Sequence, residues 1–299
     1  MKKVLVIGST VADVVISVER LPKTGEDVHV KSQSMTLGGC AYNVSDAIRH
    51  FHVPYILFSP AGTGAYGDFV RNALCQKGVP DPIYVPDTMS GCCYCFIEDS
   101  GERTFVCHRG AEYHFRPEWF AALDSDSIDC VYICGLEMEE SDNTHIIDFL
   151  EAHPEYTVYF APGPRINILP PERMNRLFAL SPVLHLNETE ALTFTKQPTI
   201  EKAAESLYQA TKNTVIITLG EKGAYYKDDS TDELIPSINA TQINTVGAGD
   251  SHIGTVISCL KRGDSMKDSI SKANRYSAAI VEQNSAQLSD EIFEQLQLI

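Results

Sequence analysis

The chain has 299 residues and 43% hydrophobic content, enough for a substantial core in one large α/β domain or two small ones. Its 24 Lys and Arg stand against 40 Asp and Glu, and the net charge of −16 argues against an extended nucleic-acid or anionic-membrane surface. No segment is apolar for long enough to span a bilayer, and nine cysteines without a secretory leader point to free thiols in a reducing cytoplasm.

In chain order, the first apolar run is 4–7. It stops at Gly8-Ser9, with Asp13 following and no cleavage pattern, so a first buried strand fits better than a signal peptide. Further strand-like runs lie at 55–58, 130–134, 156–160, 183–186 and 214–219. Helical patterns fall between them at 41–51, 69–77, 143–152, 188–195 and 200–210. This alternation predicts a mostly parallel sheet with helices on both faces. The last third turns helical, at 249–260, 267–283 and 289–296. Segments 14–35 and 89–108 break the rhythm with strand chemistry and little helical pattern. They predict a small β-layer, a lid built from about 14–33 and 89–108 on a single domain spanning 1–299.

The segment Thr245-Val246-Gly247-Ala248-Gly249-Asp250 carries the chemistry. Gly247 and Gly249 let the backbone turn tightly and expose successive N–H groups. The helix that follows has Ile253, Val256, Ile257 and Leu260 on one face, and its first-turn amides and dipole favour an anion there. Asp250 stands among those amides, where a carboxylate can take the proton of an attacking hydroxyl as a phosphoryl group approaches. An acid in a first helical turn also simply complements the dipole, so the segment alone leaves both readings open.

The rest of the chain adds motifs in a fixed order: Gly38-Gly39-Cys40-Ala41-Tyr42-Asn43, Gly64-Ala65-Tyr66-Gly67-Asp68, Gly101-Glu102-Arg103-Thr104, Asn187-Glu188-Thr189-Glu190 and Thr218-Leu219-Gly220-Glu221-Lys222-Gly223. With the 245–250 segment they cover essentially the whole chain, which resembles the ribokinase, or PfkB-type, carbohydrate kinase family. The resemblance implies a ribokinase-like α/β fold and transfer of the ATP γ-phosphate to a hydroxyl of a small sugar, or of a nucleoside. It implies Asp250 as base, with Gly247, Ala248 and Gly249 forming the anion hole. Asp13, Gly38, Gly39 and Asn43 would bind the acceptor, the Asp13 carboxylate accepting from two neighbouring hydroxyls. Thr218, Gly220, Gly223, Thr245 and Asn274 would shape the ATP pocket, with Ser285 nearby and Arg165 as a phosphate contact. Asn187 and Glu190 would organise Mg2+ through water, a spacing that equally fits a helix cap with its capping-box acid. A homodimer through exposed lid edges is also expected.

The chain departs from the family's pattern in places. Asn244 precedes Thr245 where an acid usually helps hold a monovalent cation, which puts potassium activation in question. Ala161 stands where an Asp is common, Phe51-His52 replaces a Leu-Gly, and His252 follows Asp250 where an apolar residue is usual. Rival readings come from two other motifs. Gly62-Thr63-Gly64-Ala65-Tyr66-Gly67 is a literal Gly-x-Gly-x-x-Gly with Asp87 about twenty residues on, which read alone suggests an NAD-dependent dehydrogenase. Cys92-Cys93-Tyr94-Cys95 contains Cys-x-x-Cys, but its flanks read as strand, where residues three apart face opposite ways and cannot share a metal. A non-catalytic sugar or nucleoside sensor that kept the fold is the third alternative.

Overall fold

Val4, Leu5, Val6 and Ile7 are all fully buried, as expected of a strand covered on both faces. In the computed structural model of the protein, which describes residues 1–79 and 82–299, this run lies inside a large sheet.

The strands of the first half are β1 (Lys3–Ile7), β2 (Val11–Ser17), β3 (Ser32–Gly38), β4 (Tyr55–Phe58), β5 (Pro60–Thr63), β6 (Ile83–Met89), β7 (Cys92–Ile97) and β8 (Arg103–His108). Those of the second half are β9 (Ile128–Cys134), β10 (Thr157–Ala161), β11 (Val183–Asn187), β12 (Val215–Thr218), β13 (Ala224–Lys227) and β14 (Asp232–Ile235). The helices are α1 (Cys40–His50), α2 (Gly64–Gln76), α3 (Pro117–Ala121), α4 (Thr144–Glu151), α5 (Pro171–Ala179) and α6 (Glu188–Thr195). The chain ends through α7 (Ile200–Thr211), α8 (Ala248–Arg262), α9 (Met266–Val281) and α10 (Asp290–Leu296).

The large sheet has the order β14-β13-β12-β11-β10-β9-β1-β4, parallel from β4 through β12 and antiparallel at β13 and β14. Alternation splits each strand between two cores. Val4 and Val6 face α1, α8 and α9, with Tyr132, Ile257 and Tyr276 in one cluster. Leu5 and Ile7 face the other layer, with Ile133, Phe160, Ile147 and Leu207. The expected α/β architecture with a mostly parallel, helix-covered sheet is therefore present.

The irregular segments form a second sheet of order β3-β2-β7-β8, whose strands begin at Val11 and run to Gly38 rather than stopping at 14 and 33. One face, through Ala12, Val14, Ile16, Cys92 and Tyr94, packs into the core beside Val70 and Leu74 of α2. By alternation, the other face carries Asp13 and its row neighbours Thr36, Cys93 and Cys107. Helix α2 starts at Gly64, earlier than the expected 69. The β13–β14 hairpin was not expected; Asp228 closes its turn by accepting from Ser230 N (2.9 Å) and Thr231 N (2.7 Å).

Candidate active site

The parallel strands β1, β11 and β12 end on the same side of the large sheet, and the ends of β11 and β12 line one cavity with the start of α8, on the side of the sheet where α/β folds bind ligands. The α8 start is built as the sequence demands. Gly247 is the N-cap at φ 79°, a left-handed conformation that side chains rarely adopt, and a Cβ there would lie 2.7 Å from Ala286. Ser251 N bonds Gly247 O at 2.9 Å, which begins the helical ladder; Ala248 N, expected in the anion hole, is taken up by Thr245 O at 3.3 Å, and the amides of Gly247, Gly249 and Asp250 have no such backbone acceptor. Nothing lies within 4 Å of a Cβ built on Gly249, and Ala248 and Gly249 line an open cavity beside this turn.

Asp250 is half-buried at this turn. Burial pushes its carboxyl up to about 6 and the nearby Glu137 pushes the same way, while hydrogen bonds from Asn43 and Cys40 act against them. The Asn43 amide donates to Asp250 Oδ2 at 2.9 Å, joining the two motifs across 207 residues of sequence. Asn43 Oδ1 in turn accepts from Gln287 Nε2 at 2.6 Å, which fixes the amide's orientation. Asp13 lies on the small sheet next to Gly38, where a Cβ would fall 1.8 Å from Asp13 Oδ2; the glycine leaves room for the carboxylate. Burial pushes Asp13 up to about 6 as well.

Sequence reasoning missed Glu137, Cys40 and Gln287 as parts of this site. Glu137 is fully buried behind Asp250, its Oε1 accepting from Ser9 N at 2.8 Å and its Oε2 from Cys134 Sγ at 2.7 Å. Desolvation raises its pKa. The only signal in the sequence was an acid at the end of the apolar run Ile133-Cys134-Gly135-Leu136.

Beside the cradle, a cavity of about 780 Å³ brings together Thr218, Gly220, Gly223, Thr245 and Asn274, the residues read as shaping an ATP pocket, with Asn187, Ala248 and Gly249. Glu190 stands behind Asn187 instead of lining the cavity. Asn187 Oδ1 accepts from Glu190 N (2.8 Å), Glu190 Oε2 accepts from Asn187 N (3.0 Å), and Asn187 Nδ2 donates to Glu190 Oε1 (2.8 Å). This is a complete capping box on α6. His252 also lines the cavity, as part of a buried chain. Asn274 Nδ2 donates to the carbonyls of Ile235 and Pro236, so its Oδ1 accepts from His252 Nε2 at 3.1 Å. His252 Nδ1 then accepts from His185 Nε2 at 3.0 Å. Burial pushes His252 down to about 4 and holds His185 well below its usual range, so both rings are neutral.

Asn244 is buried beside the cradle. Its Oδ1 accepts from Val246 N at 2.9 Å and from Arg103 Nη1, which reaches over from β8. Arg165 is ion-paired to Glu139 at 2.9 Å. Lys31 is paired with Asp99 and Arg109 with Glu139 and Glu140.

The Gly62–Gly67 stretch does not form a dinucleotide cradle. Its first amide donates inward to Ser90 Oγ at 2.8 Å, and a Cβ on Gly67 would meet Gly62 O at 2.1 Å; these glycines serve close packing at the start of α2. Cys92 and Cys95 sit on a strand as expected, but Cys93 has an unforeseen neighbour in Cys107 of β8. His114, without a partner at ligand spacing in the sequence, comes near Glu140 and Asp142 at the surface.

Comparison with known proteins agrees with this geometry. The chain is 28% identical over 284 residues to the uncharacterised sugar kinase YegV of Escherichia coli K12, covering 94% of this chain and 88% of that one. Its fold superposes on Arabidopsis thaliana ribokinase complexed with ribose and ATP with a TM-score of 0.81 at 19% identity, covering 99% and 98% of the two chains. The Methanocaldococcus jannaschii nucleoside kinase gives a TM-score of 0.81 at 20% identity, again covering 99% and 98%. The family model for pfkB carbohydrate kinases matches residues 1–292, and the chain belongs to that family.

Proposed function

We propose that the protein transfers the γ-phosphoryl group of ATP to a hydroxyl of a small neutral sugar. The observation that carries this reading is the junction at Asp250: one carboxylate in the first turn of α8, with an open amide cradle and the 780 Å³ cavity beside it and Asn43 bonded to it. The acceptor lies between Asp13, Gly38, Gly39 and Asn43. Asp250 takes the acceptor's proton as the hydroxyl oxygen forms its bond to the γ-phosphorus. The bond from that phosphorus to the β-phosphate oxygen breaks, and ADP leaves. The unbonded amides of Gly247 and Gly249 stabilise the charge on the transferred group. The small sheet acts as a lid that excludes water, which competes with the acceptor hydroxyl.

A Mg2+ ion bound with the nucleotide would neutralise charge on its phosphates, and Asn187 and Glu190 are the residues that would stand near it. Asn187 and Glu190 already satisfy each other and their backbone amides, so they fit an outer, water-bridged role better than direct ligation. A monovalent cation fits poorly at Asn244, whose neutral Oδ1 already receives Val246 N and the Arg103 guanidinium; no step needs one.

A neutral acceptor is favoured over a sugar phosphate because, among the cations of the small sheet and its flanks, Lys31 and Arg109 are committed to acids, while Arg103 reaches inward to Asn244. A nucleoside is the second reading. The observation in its favour is Phe105, exposed and one row from Cys107 on the Asp13 face of the small sheet, where a ring can stack on a base. Exposed Met35, Phe105 and Val106 on the same sheet also suit a homodimer through the lids.

An ATP-turnover screen over free sugars and nucleosides tests the reading. Turnover with one of them is expected, and saturable binding without any turnover would favour a sensor. In the active pair, Asp250→Asn should retain ATP binding and lose about a hundredfold or more in kcat. Near-normal turnover in that variant would remove Asp250 from the base role.

A further inference from the structure

Cys93 and Cys107 are direct partners in the antiparallel β7–β8 pair, and the Cys107 thiol donates to the Cys93 sulfur at 3.3 Å. In the same row, Cys93 is the parallel partner of Asp13. The row Thr36, Asp13, Cys93, Cys107 therefore runs across the face of the small sheet opposite to the one packed on α2. Cys107 is exposed and Cys93 half-buried, whereas Cys92, Cys95, Cys130, Cys134 and Cys259 are buried.

We propose that Cys93 and Cys107 form an oxidisable dithiol that takes a low-molecular-weight disulfide as its substrate and, once closed, restrains the small sheet beside Asp13. Directly opposed strand residues have Cα atoms roughly 4.5–5.5 Å apart, inside the range of about 4.4–6.8 Å that a disulfide spans. The sulfurs close to about 2.05 Å by side-chain rotation alone. Exposed Cys107 is the entry point. Its thiolate attacks one sulfur of oxidised glutathione, forming a mixed disulfide and releasing one glutathione. Cys93 then loses its proton to solvent and attacks the Cys107 sulfur, and the second glutathione leaves. Two electrons and two protons pass from the protein dithiol to the small disulfide, which is thereby reduced to two thiols. Burial and the neighbouring Cys107 push the Cys93 thiol up, which suits it to the second, intramolecular step and not to first attack.

The effect on catalysis rests on the kinase reading above; formation of the bond does not. A new covalent tie one residue from Asp13 in the row stiffens the surface that must adjust around an acceptor, and leaves the nucleotide cavity untouched. The test treats the full-length reduced protein with oxidised glutathione. Non-reducing peptide mass mapping should find a Cys93–Cys107 cross-linked peptide that dithiothreitol removes and that neither Cys107→Ser nor Cys93→Ser forms. Glutathione left stably on Cys107, or no cross-link, overturns the proposal. With the acceptor found in the screen, the oxidised protein should lose about tenfold in acceptor kcat/KM at unchanged ATP KM, a size typical of a slightly misplaced binding group. Dithiothreitol should restore it, and Cys107→Ser should not respond. An unchanged acceptor kcat/KM with the cross-link present would overturn the restraint. A reduced protein inactive on every acceptor would instead count against the kinase reading, with the cross-link result still standing.

Discussion

At the scale of the residue, the Asp250 carboxyl is the group whose chemistry depends most on its surroundings. Its pKa of about 6 means that, if it is the base, acceptor kcat/KM should climb as pH rises through that value and flatten above it. The same shift has a stability consequence whose sign is fixed. In the unfolded chain the group ionises near 3.8, so the folded state binds the proton more tightly and keeping the charge folded is unfavourable above pH 6. Asp250→Asn should therefore raise the melting temperature at pH 8, with the gain shrinking as pH falls from 6 to 4. Thermal scans of both proteins across that range check it, and a gain that grows on acidification would be inconsistent with a raised pKa. Asp250 was legible in the sequence because local spacing encodes a helix start. Glu137, which helps hold it up, was not, because its proximity comes from the sheet bringing the end of β9 beside α8.

At the scale of the element, α6 is the clearest case of one motif with two competing readings. Asn187 and Glu190 form a full capping box, so the helix-cap reading is correct whatever they do for a nucleotide. Asn187→Ala should cost about 1 kcal/mol of stability through the lost cap, read as a lower denaturation midpoint. It should also weaken ATP binding, since the side chain lines the cavity. Loss of stability with ATP affinity intact would leave the cap as its whole role. The parallel strands of the large sheet were legible because each is a short, largely apolar run. The β13–β14 hairpin was less so, since Asp232–Ile235 is partly exposed and its polar residues mask the strand pattern. The tie from β8 to the cradle was not legible at all. Arg103 and Asn244 are 141 residues apart, and only folding reveals that the guanidinium meets the amide. Turnover should be the same when K+ is replaced by tetramethylammonium at constant ionic strength, because a carboxamide already holding a cationic side chain offers a second cation little. Arg103→Ala should lower kcat about tenfold, the worth of one charge-assisted hydrogen bond. A strict K+ requirement in the native protein would refute this reading of Asn244.

At the scale of the whole molecule, the site is assembled from two parts that are packed differently. The cradle belongs to α8, packed tightly on α1 and α9 with Ile253, Val256, Ile257 and Cys259 fully buried. Asp13 belongs to the small sheet, held to the core by one face and to the cradle by Arg103, with its other face open. On the proposed function the two parts should respond unequally to ligands. A nucleotide in the cavity beside α8 would leave the small sheet largely free. On the same reading, an acceptor bonded to both Asp13 and Asn43 would tie the sheet to the core, and local openings that need the two to separate would become rarer. In hydrogen exchange, residues 32–38 and 92–108 should gain little protection from ATP alone and much more when a non-hydrolysable ATP analogue and the acceptor are both present. Arg103→Ala should reduce that gain without abolishing it, because the acceptor contacts remain. Equal protection by the nucleotide alone would mean that the small sheet closes on the phosphates through Arg103, and that Asp13 receives the acceptor in an already closed site.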